Sequence, residues 1–422
     1  MNCRRRALRW ICGLALTLAS SAFAQNWPRF RGPNGAGASE ATTIPARWTA
    51  DDYHWRVELP GIGYSSPAVW GDRLLVTSGL EEDATQIIRC LRTSDGKLIW
   101  ERRFESTTHP KHQFNCYASS TPAVDADHVY YCFATPEKYT VMALDLQDCA
   151  DVWRRDLGPF VAEHGFGASP MLFESLVILA DEQDGESSIV ALHRMTGEPR
   201  WKTARRTEKT AYATPCIYQP EQGPAQLITS SWAHGISSLD PRSGRPNWEQ
   251  SVFRYRVVGS PAIAAGLIFG CCGTGGVGRQ MIAVRPGNPA AGAESEVAYE
   301  VQGSLPYVCT PVAYGDLLFA WFDRGVVTCL DAPTGEILWR ERIGGEYFGS
   351  PVRAADRLYC VSREGEMVVL AASREFKELA RIDLEERSNS TPAIAGGVMY
   401  LRTISHVMAI GGETGSQPAA GE

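Results

Sequence analysis

The chain has 422 residues, 21% of them charged, with a net charge of −7. That balance gives an ordinary acidic surface with no basic stripe, which argues against nucleic acid as a partner. A hydrophobic share of 44% supplies a sizeable core, and past the N-terminal leader no run reaches the ~20 apolar residues of a membrane span.

In chain order, residues 1–24 read as a signal peptide. Arg4, Arg5, Arg6 and Arg9 form the positive start, Trp10 to Leu18 the apolar run, and Ala22-Phe23-Ala24 the small-residue cleavage site. Cleavage is expected after Ala24, which places the mature protein in the periplasm or outside the cell. Residues 25–53 read as an N-terminal extension, and 411–422 as a flexible tail.

Between them a unit repeats. An apolar-flanked Ser/Thr-Pro step occurs at Ser66, Thr121, Ser169, Thr214, Ser260, Thr310, Ser350 and Thr391. Successive prolines are 55, 48, 45, 46, 50, 40 and 41 residues apart, the period of a four-stranded propeller blade. Each step is followed by a short apolar run, a tight turn such as Gly71-Asp72, a β-rich run, a third strand and a turn ending in tryptophan. Cys90 to Trp100, Ala143 to Trp153, Ala191 to Trp201, Ser238 to Trp248 and Cys329 to Trp339 keep one offset. These rings are expected to pack between neighbouring blades. Tyr299 and Ala380 stand at the corresponding point in blades five and seven, where weaker docking is expected.

The sequence runs out after the third strand of blade eight, Val407 to Ile410. A strand at 54–59, ahead of the first Ser-Pro, is free to supply the fourth and so remove two exposed edges. The expectation is therefore all-β: an eight-bladed propeller over 54–410, its ring closed by the N-terminal strand.

Ten cysteines remain after cleavage. Their spacing matches no zinc or haem pattern, and Cys90 and Cys329 sit where other blades have alanine or serine, as small buried hydrophobes do. His109 and His112 lack a third ligand, so no metal site is assigned. The glycine run 273–278 has no following Lys-Ser/Thr and opens no helix, which removes a phosphate loop; no serine lies in a nucleophile elbow.

The stretch Cys329-Leu330-Asp331-Ala332-Pro333-Thr334-Gly335 through Trp339, with Ala143-Leu144-Asp145 through Trp153, resembles the repeat of the PQQ-like propeller family. The opening Trp27-Pro28-Arg29-Phe30-Arg31-Gly32-Pro33-Asn34-Gly35 is similar to the start of its exported branch common in planctomycete-type bacteria. The resemblance implies one of two roles: a protein-binding scaffold like the barrel-assembly lipoprotein, or a quinoprotein alcohol dehydrogenase using PQQ and calcium.

The loops entering each first strand and joining second to third strands converge on one channel mouth. There they bring His109, His112, Asn115, Glu163, His164, Trp232, His234, Arg254, Tyr255, Arg256, Trp321, Asp323, Arg324, Glu346 and Tyr347, a rim suited to a ligand. The catalytic candidates, if an enzyme, are Asp323 and Glu163. The cofactor candidates are Cys271, Cys272, Trp232, Trp321 and Arg324. The adjacent cysteines enter because the family's dehydrogenases place such a pair, as a disulfide, against PQQ; as neighbours on a regular strand they would face opposite ways. The reading preferred here is an exported binding or scaffold module, probed at its top face by a protein or small-molecule ligand and acting as a monomer. The alternative is a PQQ- and calcium-dependent alcohol or sugar dehydrogenase.

Overall fold

The computed structural model describes residues 26–206 and 209–412; the expected signal peptide, 1–24, lies outside them, as does the expected tail apart from residues 411 and 412, the first of which belongs to the last strand. Eight antiparallel sheets follow one another around a channel. Blade one is Ala68–Trp70, Arg73–Gly79, Gln86–Arg92 and Leu98–Phe104, and the plan recurs to blade seven. The short first strands are neighbours around the axis, as contacts between those of blades one and two, five and six, and six and seven show. Among the described residues the only helical pieces are two three-residue 3-10 turns.

Blade eight closes as the sequence requires. Trp55–Glu58 pairs antiparallel with His406–Gly411, Trp55 opposite Ala409 and Glu58 opposite His406. Backbone bonds from His54 N–H to Ala409 and from Leu59 N–H to Ser405 extend the ladder at 2.9 and 2.7 Å.

The repeated offset from small residue to tryptophan has a direct geometric cause. Cys90 pairs with Trp100, Ala143 with Trp153, Ala191 with Trp201 and Cys329 with Trp339, and the register slips beside each pair. A small residue clears the space and the bulge tips the ring off its own blade. The indoles of Trp100, Trp153, Trp201 and Trp339 then donate to the carbonyls of Leu146, Arg194, Pro241 and Ser373 in the next blade, at 3.0, 2.7, 3.1 and 3.1 Å. Trp55 does the same for blade eight, donating to Thr93 at 2.9 Å. The receiving turn needs its glycine. Gly197 has φ 67°, and a Cβ there would lie 2.6 Å from the Trp153 ring.

Tyr299 keeps this contact, its hydroxyl donating to the Ala332 carbonyl and its ring covering Gly335. The undocked position is Trp248, whose indole bonds Gln226 of its own blade at 2.7 Å. Blade five has an insertion at 286–295 where the receiving turn would be, so Trp248 has no carbonyl to meet. Ala380, opposite Val369, has no ring to dock.

The segment ahead of Trp55 lies inside the ring. Trp27 bridges Val69 of blade one, and the Pro28 carbonyl accepts Val124 N–H of blade two. Asn34 bonds both backbone groups of Ile217 in blade four at 2.7 Å, and Ala38–Ser39 pairs parallel with Arg353 and Ala354 in blade seven. Thr43 donates to the Gly397 carbonyl in blade eight at 2.6 Å. One end of the channel is thus closed by the chain itself. Arg29 and Arg31 are buried there with carbonyl partners only: Arg29 bonds Pro215 at 2.8 Å, and Arg31 bonds Pro351 and Pro311 at 2.8 and 2.9 Å. Burial lowers both guanidinium pKa values to about 10.

Candidate functional site

The Ser/Thr of each repeat does more than mark a period. Ser66 N–H donates to Thr121 Oγ1, Thr121 N–H to Ser169 Oγ, and Ser350 N–H to Thr391 Oγ1, at 2.9, 3.0 and 2.9 Å. Thr214, Ser260 and Thr310 each donate to the next blade's hydroxyl at 2.9 Å. A belt of hydroxyls therefore runs round the channel. Above it lies a cavity of about 450 Å³, on the side away from the N-terminal segment, with Phe30 rising into its floor.

The walls follow a rule. The residue two before each Ser/Thr lines the cavity in all eight blades: Tyr64, Ser119, Gly167, Tyr212, Val258, Val308, Phe348 and Asn389. The long loop from 105 to 122 adds a lid. Asn115 Nδ2 donates to the carbonyls of His164 and Phe166 at 2.8 and 3.1 Å, and the His112 and His164 rings lie 4.8 Å apart. Phe114 reaches blade seven, where its ring is 5.6 Å from Phe348, and Arg363 stacks on both at 4.2 and 4.6 Å.

Two buried arginines hold the rim. Arg256 donates to Glu163 Oε2 at 2.7 Å and approaches His164 Nε2 at 2.6 Å. Arg363 bonds Glu346 at 2.6 Å. Burial, then the Arg256 charge, lowers the His164 pKa, so the ring is neutral at pH 7, accepts from Arg256 at Nε2 and carries its proton on Nδ1. That Nδ1 is buried without a close hydrogen bond, 4.0 Å from Glu163 Oε2, and the Tyr212 hydroxyl is buried without a partner.

Several sequence candidates meet here and others do not. His112, Asn115, His164, Asp323, Arg324 and Glu346 line the cavity. Glu163 lies behind it, its carboxyl held below the usual range chiefly by the Arg256 hydrogen bond. Asp323 is buried and accepts the N–H groups of Tyr307, Val308 and Cys309 at 2.7, 2.8 and 3.2 Å. It shapes the loop entering blade six. Burial pushes its pKa up to about 6, against the pull of those three donors. Trp321 and Tyr347 are core residues 5.7 Å apart. Trp232 lies away from the cavity under Lys209, and His234 is buried against Glu249 at 2.6 Å. Cys271 and Cys272 are free thiols packed into two different core clusters, as alternation along a strand dictates. Phe114, Phe348, Tyr212 and Phe30 escaped sequence reasoning, although the position two before each Ser/Thr-Pro held Tyr212 and Phe348 in plain view.

A family model described as the outer membrane protein assembly factor BamB matches residues 48–270 and again 236–419. The chain belongs to this PQQ-like propeller family. BamB of Yersinia pestis is 23% identical over 281 residues, covering 64% of this chain and 68% of that protein. BamB of Burkholderia pseudomallei is 31% identical over 113 residues, 26% of this chain and 29% of that protein. The crystal structure of BamB from Moraxella catarrhalis superposes with a TM-score of 0.63 at 15% identity, covering 86% of this chain and 98% of that one. Quinohemoprotein alcohol dehydrogenase from Comamonas testosteroni gives 0.66 at 12% identity, over 94% and 82%. At such identities the likeness is one of fold.

The mouth does not fit PQQ and calcium. Calcium takes about 6–8 oxygen ligands, whereas the carboxylates on this cavity are Asp323, tied to three backbone donors, and Glu346, paired with Arg363. The adjacent cysteines and Trp321 belong to the core, so no step is assigned through a quinone. Among the described residues no helix is long and apolar enough to cross a membrane.

Proposed function

We propose that the chain is exported, loses its leader after Ala24, and works in the cell envelope as a monomeric binding or scaffold module. Its partner, protein or small molecule, engages the open mouth. The observation that carries this reading is the asymmetry of the channel: one end is filled by residues 26–48, while the other holds a cavity whose His164 and Tyr212 have polar atoms without hydrogen-bond partners. The family supports it, since relatives of this chain are named outer membrane assembly factors.

The test is position-specific photocrosslinking in the producing cell. A crosslinker at Phe114 or Phe348 is expected to give a discrete adduct, and one at Asp72 or Asp316, in turns at the closed end, none. Adducts from the closed end alone would reverse the assignment of the working face. Dye-linked alcohol oxidation by the purified protein with PQQ and calcium would restore the dehydrogenase alternative.

A further inference from the structure

The axis of the molecule carries positive charge without a counter-charge. Arg29 and Arg31 are buried and bond only to carbonyls. Those carbonyls belong to Pro215, Pro311 and Pro351, each one residue beyond a belt hydroxyl that lines the cavity: Thr214, Thr310 and Ser350. Two guanidiniums therefore sit directly beneath the cavity floor. The belt adds to the field. Thr310 and Ser350 each use a lone pair to accept a backbone N–H, and no acceptor for their own hydrogens exists among the described residues. As bound acceptors they keep an O–H to donate.

The wall repeats the pattern. Tyr212 offers a hydroxyl buried without a partner, His164 offers an Nδ1–H that makes no close hydrogen bond although Glu163 Oε2 stands 4.0 Å away, and Arg324 lines the cavity with no ion pair among the described residues. The two lining carboxylates are already engaged, Asp323 by three N–H groups and Glu346 by Arg363. What remains is a set of donors and, at the open rim, the exposed Arg324, above two buried and uncompensated cations. Convergent donors with an excess of cations favour negative charge.

We propose that the mouth cavity binds an oxyanion, the carboxylate or phosphate head of a small ligand, between Arg324, the Tyr212 hydroxyl and the His164 Nδ1–H, with Phe114 and Phe348 covering the remainder of the ligand. This rests on the mouth being the working face, but it is tested without any partner. A partner that docks on the rim would leave crosslinking intact even if no anion bound, so the two readings fail separately.

The probes are sodium phosphate and sodium benzoate, titrated into the mature protein at constant ionic strength set with sodium chloride, with binding read by calorimetry and by the melting temperature. Saturable binding of at least one probe is expected, with Arg324→Ala and Tyr212→Phe each weakening it about tenfold, as loss of a hydrogen bond to a charged group does. Phosphate alone would assign a phosphate head, and benzoate alone a carboxylate on an apolar body. Tyr212→Phe retains the ring, so an unchanged melting temperature without ligand certifies the fold. Equal binding by the wild type and both variants, or no saturable binding of either probe, would overturn the proposal.

Discussion

The two ends of the channel both rely on buried arginine, and they treat it differently. At the closed end Arg29 and Arg31 face only carbonyl groups, contributed by blades four, six and seven and, for Arg31, by Gly35 and Ala36 of its own segment. At the open end Arg256 and Arg363 meet carboxylates, Glu163 and Glu346, whose side chains reach into solvent. Carbonyl dipoles fix a guanidinium in place and leave its charge uncancelled, so the closed end works as a staple that also polarises the axis. Carboxylate pairs neutralise the rim and orient it, leaving Arg324 as the cation without an ion pair on the cavity among the described residues. The difference separates a region built for closure from one built for contact.

The contrast breaks most completely if the closed end is removed. A chain lacking residues 26–60 loses both the segment in the channel and the fourth strand of blade eight, Trp55–Glu58. Two sheet edges are then open to pairing with other chains, and the expected outcome by light scattering is aggregation. A truncated protein that stayed monomeric with the wild-type melting temperature would show that neither element closes the ring.

A single substitution is gentler. Arg31→Ala leaves the carbonyls of Gly35, Pro311 and Pro351 without donors and empties the space the side chain fills. Buried acceptors stripped of their partner, together with the cavity, give an expected loss of about 3–5 kcal/mol by denaturant midpoint. A loss below 1 kcal/mol would mean that the guanidinium is solvated in a way the carbonyl contacts do not describe.

Much of this was legible in the sequence. The Ser/Thr-Pro period set the blade number, and the missing strand after Ile410 pointed to residues 54–59. Those are local signals repeated eight times, and repetition averages out the ambiguity of any one strand. The closed end was not legible. Trp27 to Asn34 has no periodicity, and its partners lie hundreds of positions away, as with Arg31 and Pro351, so no pattern within the segment announces where it packs. The mouth was half legible. Loop residues such as His164 and Arg324 were named for their chemistry, but Trp321 and Tyr347 were named too, and both pack into the core, Trp321 from a strand buried on both faces and Tyr347 from the loop entering blade seven. The lid residue Phe114 gave no signal because an aromatic in a polar loop reads as incidental. Tyr299 shows the limit from the other side: a smaller ring keeps the docking bond because the receiving turn is intact, and Trp248 loses it because that turn is replaced.

At the open end the next effect depends on pH. The Asp323 pKa stands at about 6 in the fold against an ordinary 3.8, because burial disfavours the carboxylate. The folded state therefore holds a proton across the window from 3.8 to about 6 that the unfolded chain has released. The stability this adds is complete below the window and is lost as pH rises through about 6, a swing of roughly 3 kcal/mol at ~1.4 kcal/mol per unit. Asp323→Asn cannot titrate, so the stability of the wild type minus that of the variant is expected to fall between pH 4 and 7. A difference that rose with pH would mean that the three N–H donors outweigh burial and hold the carboxylate ionised.

The smallest expected effect is at Arg363, and it sharpens the comparison with Arg31. Arg363 is buried, yet what it offers the fold is a stack between Phe114 and Phe348 and a pair with the solvent-facing Glu346. A cation over an aromatic face adds about 0.5–2 kcal/mol according to how dry the site is, and a pair with an exposed carboxylate adds about 0–1 kcal/mol. Replacement by alanine is therefore expected to cost about 1–2 kcal/mol in a urea titration, well short of the cost at Arg31, and the part due to Glu346 should shrink in ~1 M salt. The lid should loosen as well, since Phe348 becomes the one ring of blade seven that Phe114 still meets, and faster hydrogen exchange through residues 110–116 would report it. If Arg363→Ala instead matched the loss at Arg31→Ala, the open end would be as much a staple as the closed one, and the division of labour between the two ends would fall.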